Sequence, residues 1–187
     1  MKYCCKSVEK YNDCLAAGNA VPGGGSSSAV SAAMGSALLS MVLNFSVGRK
    51  AYAAHEQRLR EILAKTETLR VRFLELADLD SEAFSGRDMR KSLDISFITC
   101  RLCYETMKFC PEVLKKGNPN LCTDVGTASA LLDAAFCGAY LNTRINLKII
   151  GDAVLSRSIL KELSAKKRAM TRIKTEIENG VCRIIEG

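Results

Sequence analysis

Apolar residues return every three or four positions along most of this chain, and neither hairpin dipeptides nor sustained two-residue alternation interrupts them. The spacing predicts six helical segments, near 5–17, 26–47, 54–86, 89–115 with a bend at Pro111, 124–150 and 153–185. Gly18-Asn19, Gly48, Gly86, Gly117-Asn118-Pro119 and Gly151 punctuate them. No internal repeat or low-complexity linker divides the chain. Its 187 residues therefore read as one domain, 1–187, an all-α helical bundle large enough to bury a core.

The second segment differs from the rest. No charge occurs between Asp13 and Arg49, and Ala33, Gly35 and Ala37 are small. Its length suffices for a membrane span. However, Ser26, Ser27, Ser28, Ser31, Ser36, Ser40, Asn44 and Ser46 are too numerous for one. Small residues instead suit a helix buried on every side of a tight bundle, where neighbouring backbones come close. Packing six helices around it leaves apolar residues such as Leu38, Leu39 and Val42 for a second copy, so a homodimer is expected. The elbow before it, Val21-Pro22-Gly23-Gly24-Gly25-Ser26, brings backbone N–H groups and a helix N-terminus towards a polar or anionic ligand. A plain helix start with Ser26 as its cap explains the same residues equally well.

In the third segment Leu59, Ile62, Thr66, Leu69, Phe73 and Leu76 form a seam in steps of three and four. The next step is Asp80, followed by Ala83 and Phe84, which puts a carboxylate where the pattern requires an apolar side chain. Burial raises such a pKa and suits the group to proton transfer near neutrality. A salt-bridged or capping residue near a frayed end is the alternative. In the fifth segment Asp124 follows Gly117-Asn118-Pro119-Asn120 and is placed to cap the helix. Ala128, Leu131, Leu132, Ala135 and Ala139 form the buried stripe, and Asn142 and Asn146 stand one turn apart at its end, with Arg144 on another face. Those amides need partners, either a heterocycle with amide-like edges or a neighbouring helix.

Composition narrows the alternatives. The nine cysteines are odd in number and scattered through helical patterns, which reads as reduced thiols in a cytoplasmic protein. Cys100, Cys103 and Cys110 fall on one expected helix, but the lone histidine, His55, is elsewhere, so no metal site is assigned. The net charge of +7 concentrates in the last segment, at Arg157, Lys161, Lys166, Lys167, Arg168, Arg172 and Lys174. Aromatics are too few for a nucleic-acid surface, so a solvated face is expected, able to attract a polyanionic small molecule. The amino-terminal Met-Lys-Tyr-Cys-Cys-Lys has no apolar run and reads as no signal peptide. Neither nucleic acid nor membrane is expected as a partner.

Three blocks, in order, resemble one family. They are Pro22-Gly-Gly-Gly-Ser26 through Gly48-Arg49-Lys50-Ala51-Tyr52, then Asp80-Ser-Glu-Ala-Phe84, then Gly117-Asn118 and Thr123-Asp124-Val-Gly126 through Asn142-Thr-Arg144-Ile-Asn146-Leu-Lys148. Over nearly its whole length the chain is similar to the cyclodeaminase domain of formiminotransferase-cyclodeaminase and to bacterial methenyltetrahydrofolate cyclohydrolases. The resemblance implies an all-α homodimer acting on a one-carbon tetrahydrofolate, with no further cofactor. The reaction is either ring closure of formimino-tetrahydrofolate with loss of ammonia or hydrolytic opening of methenyl-tetrahydrofolate. It implies Asp80 as acid/base, with Asp124 the other matching carboxylate. It also assigns Gly23, Gly24, Gly25, Ser26, Asn44, Arg49, Lys50, Asn142, Arg144 and Asn146 to substrate binding. The chain departs from the family after Phe84, where Ser85-Gly-Arg-Asp88 replaces a longer stretch. A non-catalytic folate-binding or scaffolding dimer is the alternative that departure raises.

Overall fold

The computed structural model describes residues 7–187. Cys4, Cys5 and the first residues expected in the opening helix lie outside them. All regular structure among the described residues is helical: α1 (Val8–Ala16), α2 (Gly24–Asn44), α3 (Glu56–Ser85), α4 (Met89–Met107), α5 (Cys110–Lys116), α6 (Cys122–Ile150) and α7 (Ala153–Glu186). Two short 3-10 turns, Lys50–His55 and Pro119–Leu121, lead into α3 and α6.

α2 packs along α3 on one side and α6 on the other; α4 lies against α6 and α3, and α7 closes the bundle over α6, α4 and α5. The α2–α6 crossing depends on small residues. A Cβ on Gly35 would sit 3.0 Å from Leu132 Cγ and 3.1 Å from the Ala128 carbonyl oxygen, and one on Gly138 would strike Ser28 Oγ. α2 and α6 run antiparallel, because Gly24 faces Asn142 while Ser46 Oγ at the other end accepts from the Asn118 N–H at 2.9 Å. α2 is not enclosed on every side. Leu39 and Val42, expected at a dimer face, are fully buried within the single chain. The outward row is Val30, Met34, Leu38, Met41 and Phe45, with Met34 56% and Phe45 51% exposed.

Local chemistry moves several boundaries. The cap of α2 is Gly23, not Ser26, which lies within the first turn with its hydroxyl 3.1 Å from Tyr11 OH. Segment 89–115 is two helices, since the chain leaves α4 at Lys108–Phe109 and Pro111 starts α5, where its missing N–H costs nothing. Cys110 is therefore not on the helix that carries Cys100 and Cys103. Asp124 does not cap α6; it lies in the first turn, while Asn118 caps the preceding turn by accepting from the Asn120 N–H.

Candidate active site

The glycine elbow places the start of α2 against α3. Val21–Pro22 is a cis peptide bond, and Gly24 and Gly25 follow with no side chain to hold neighbours away. The Asp80 carboxylate fills the space where a Cβ on Gly25 would go; that atom would lie 2.5 Å from Asp80 Cγ. The Ser26 backbone N–H donates to the carboxylate, one of the unpaired donors of a helix N-terminus. Burial pushes the Asp80 carboxyl above its ordinary value, and the Ser26 N–H offsets part of that rise.

Asp80 is half-buried rather than enclosed in the core. An α-helix repeats every 3.6 residues, so a seam counted at 3.5 drifts by roughly 20° per heptad. After three heptads Ala77 and Ser81 occupy the interior and Asp80 stands at its edge, able to reach both solvent and the α2 terminus. Phe84, the last residue of the counted seam, is exposed.

Asn142 completes this end of the bundle. Its Nδ2 lies 3.5 Å from the Cβ position of Gly24 and donates to the Gly138 carbonyl oxygen at 2.9 Å. Its side-chain oxygen remains as an acceptor beside the elbow. Asn146 is buried one turn further on. Arg144 is exposed and lies over the Tyr140 ring, 5.9 Å from its centroid, on the side away from Asn142. Tyr11 from α1 was not a sequence candidate, yet its hydroxyl bonds Ser26 at the same spot. Its place in the first turn of a short amphipathic helix gave no signal for this.

The remaining candidates lie elsewhere in the chain. Asn44, Arg49 and Lys50 are exposed at the far end of α2, about 30 Å from Gly24 at 1.5 Å per residue. Asp124 lies similarly far from Asn142, about 27 Å along α6. None of the described contacts of the site involves a cysteine. Cys100, Cys103 and Cys110 are buried, and burial pushes the Cys100 and Cys110 thiols up to about 12, which keeps them protonated as core residues. No group of three or more His, Cys, Asp or Glu among the described residues is placed to hold a metal ion.

The glycine elbow, the half-buried Asp80 carboxylate against a helix N-terminus and Asn142 thus meet at one end of an all-helical bundle. The chain belongs to the formiminotransferase-cyclodeaminase family, whose pattern it matches over residues 7–87 and 86–165. The two matched blocks meet where α3 turns into α4, at Arg87 with its positive φ of 54°. Methenyltetrahydrofolate cyclohydrolase of Methylorubrum extorquens is 32% identical over 84% of this chain and 87% of its own length. Formimidoyltransferase-cyclodeaminase of Rattus norvegicus is 25% identical over 81% of this chain, which spans about a third of that larger protein (32%). The crystal structure of formiminotetrahydrofolate cyclodeaminase from Thermotoga maritima superposes with a TM-score of 0.91 at 25% identity, covering 96% of this chain and 98% of that one.

Proposed function

We propose that the chain is an enzyme of one-carbon tetrahydrofolate chemistry, acting as a methenyltetrahydrofolate cyclohydrolase. The observation that carries this reading is the Asp80 carboxylate held against the α2 N-terminus with its pKa raised. The cationic methenyl carbon, between two folate nitrogens, attracts such a carboxylate. Asp80 takes a proton from the water that adds to that carbon, giving a tetrahedral centre. It then returns the proton to the departing nitrogen as one carbon–nitrogen bond breaks, and the hydroxyl proton of the tetrahedral centre passes to solvent as that oxygen becomes the formyl carbonyl. Asn142 and Asn146 supply amide edges for the pterin. The same groups serve cyclodeamination of formimino-tetrahydrofolate, the second reading, which the Thermotoga maritima structure favours.

The site is also inferred to work in a homodimer in the cytoplasm. The outer row of α2 is uncharged and apolar, and a second copy laid antiparallel along it completes the burial of that helix. The same pairing carries Asn44, Arg49, Lys50 and Asp124 of one chain towards the Gly23–Ser26 elbow of the other. Cations there meet the glutamate end of the folate, and the second carboxylate approaches the first.

The test is direct. Purified protein is mixed with methenyl-tetrahydrofolate and, separately, with formimino-tetrahydrofolate, and absorbance of the methenyl species is followed. Loss of the methenyl band faster than the spontaneous rate supports the cyclohydrolase, and its accelerated appearance supports the cyclodeaminase. Acceleration of neither leaves the folate-binding or scaffolding dimer as the correct account.

A further inference from the structure

α2 starts without a side-chain cap, on Gly23, Gly24 and Gly25, and glycine loses more conformational freedom on folding than any other residue. Two of the serines that follow stay within the helix: Ser27 Oγ and Ser28 Oγ both donate to the Gly24 carbonyl oxygen, at 3.1 and 2.7 Å. Ser26 is different. It is fully buried, and its hydroxyl reaches across to the Tyr11 hydroxyl of α1, 3.1 Å away. The backbone N–H of the same residue donates to Asp80. Ser26 therefore joins the carboxylate, through its main chain, to a second helix, through its side chain. That second helix is nine residues long, too short to be stable by itself, and only Tyr11 among its residues is buried. α1 is thus seated where it touches the first turn of α2.

We infer that Tyr11 is a positioning residue for Asp80, an assignment that rests on the acid/base reading above. Bonded to Ser26, the Tyr11 hydroxyl holds the uncapped first turn of α2 where the Ser26 N–H meets the carboxylate and Gly25 passes it without a Cβ. Tyr11 acts through Ser26 and needs no contact with the substrate. Burial and that N–H are the two influences on the Asp80 pKa, so a turn that drifts away leaves burial unopposed and the pKa rises further. A carboxylate no longer held by the turn also loses its alignment with the reacting carbon, and small misplacements are costly in turnover.

Tyr11→Phe keeps the ring and removes the bond, and Ser26→Ala removes the same bond from the other side while keeping the N–H. Isotope-labelled aspartate carboxyl carbons are followed by NMR through a pH titration, with the Asp80 signal identified by its loss in Asp80→Asn. Either variant should show an Asp80 pKa raised by about half a unit to one unit over the parent. In turnover of methenyl-tetrahydrofolate, kcat should fall about tenfold with KM within about threefold. The double variant should do no more than either single one, since both remove one bond. If Tyr11→Phe does not fold, Ser26→Ala carries both readouts. An Asp80 pKa that does not move overturns the inference, as does an unchanged kcat in an active enzyme or a double variant whose effects add. A lowered melting temperature with the pKa and kcat both unchanged means that Tyr11 only seats α1. Inactivity of the parent protein on both folates instead overturns the proposed function, while the titration still decides whether Tyr11 sets the carboxylate.

Discussion

At Asp80 two opposing effects meet on one carboxylate: partial burial favours the protonated form, and the Ser26 N–H favours the charged one. Burial prevails, so the folded-state pKa lies above the unfolded one. Between those two values the folded protein holds more protons than the unfolded chain, and stability falls as pH rises through this window. The acidic limb of the pH–rate profile should accordingly sit above the ordinary carboxylate range. Asp80→Asn keeps the shape and removes the titrating proton. Turnover should drop by about a hundred- to ten-thousandfold, with melting temperature retained or raised and that limb lost. A variant working at the parental rate would reject Asp80 as the acid/base. Gly25→Ala tests the same contact from the other helix. Its Cβ cannot coexist with the carboxylate, yet a flexible side chain is able to swing away. The fold should survive while turnover falls at least tenfold, which stopped-flow absorbance and a circular-dichroism melt would separate.

The helices themselves carry a different electrostatic device. Glu112 of α5 accepts from Arg58 of α3 through both carboxylate oxygens, at 3.0 and 2.6 Å, and from Lys116 at 2.9 Å. Those cations hold its carboxyl down at about 2, below its ordinary 4.5. Because the folded pKa is depressed, the stabilisation is present above pH 4.5 and is lost as pH falls towards 2. Glu112→Gln should cost about 1 kcal/mol at neutral pH, the pair being partly solvated, and should flatten the acid limb of a urea-melt series. At the α2–α6 crossing, Gly35→Val should lower stability by about 3 kcal/mol, because the Ala128 backbone cannot retreat from the added methyls. Element type was legible in the periodicity: Leu59, Ile62, Thr66, Phe73 and Leu76 are buried as the seam requires, and Leu69 is partly buried. Where the seam ended was not, since a fixed heptad count ignores the drift that lifts Asp80 to the edge. Nor did spacing along the chain show which candidates meet. The Gly23–Ser26, Asp80 and Asn142 groups converge only because α2 and α6 are antiparallel, and that same arrangement separates them from Arg49 and Asp124.

For the molecule as a whole, the surface left uncovered is the outer side of α2. A helix with no charge along its length gains nothing from facing water, yet Val30, Leu38 and Met41 are only partly covered, and Met34 and Phe45 are exposed. α2 is also long and apolar enough by composition to cross a membrane, with a mean hydropathy of 1.4 in its most apolar window. Its other faces are already packed against α3 and α6, and its Ser26, Ser28, Ser36 and Ser40 lie buried in those contacts. A second copy of the same row satisfies the exposed side without dismantling the bundle, and an isologous pair of this kind is the commonest oligomer. Sedimentation velocity at micromolar concentration should therefore give a dimer. Met34→Glu combined with Phe45→Glu places carboxylates on the paired row at positions that are exposed in the single chain, leaving the folded subunit's interior untouched. Burying them unpaired costs about 3 kcal/mol or more, which weakens association roughly a hundredfold. The variant should sediment as a folded monomer with parental helicity. If the site is completed across the pair, its turnover should fall with the dimer fraction and recover as protein concentration is raised. A parent protein that sediments as a folded monomer would remove both the dimer and the shared site, leaving Asp80 to act with the groups of its own chain.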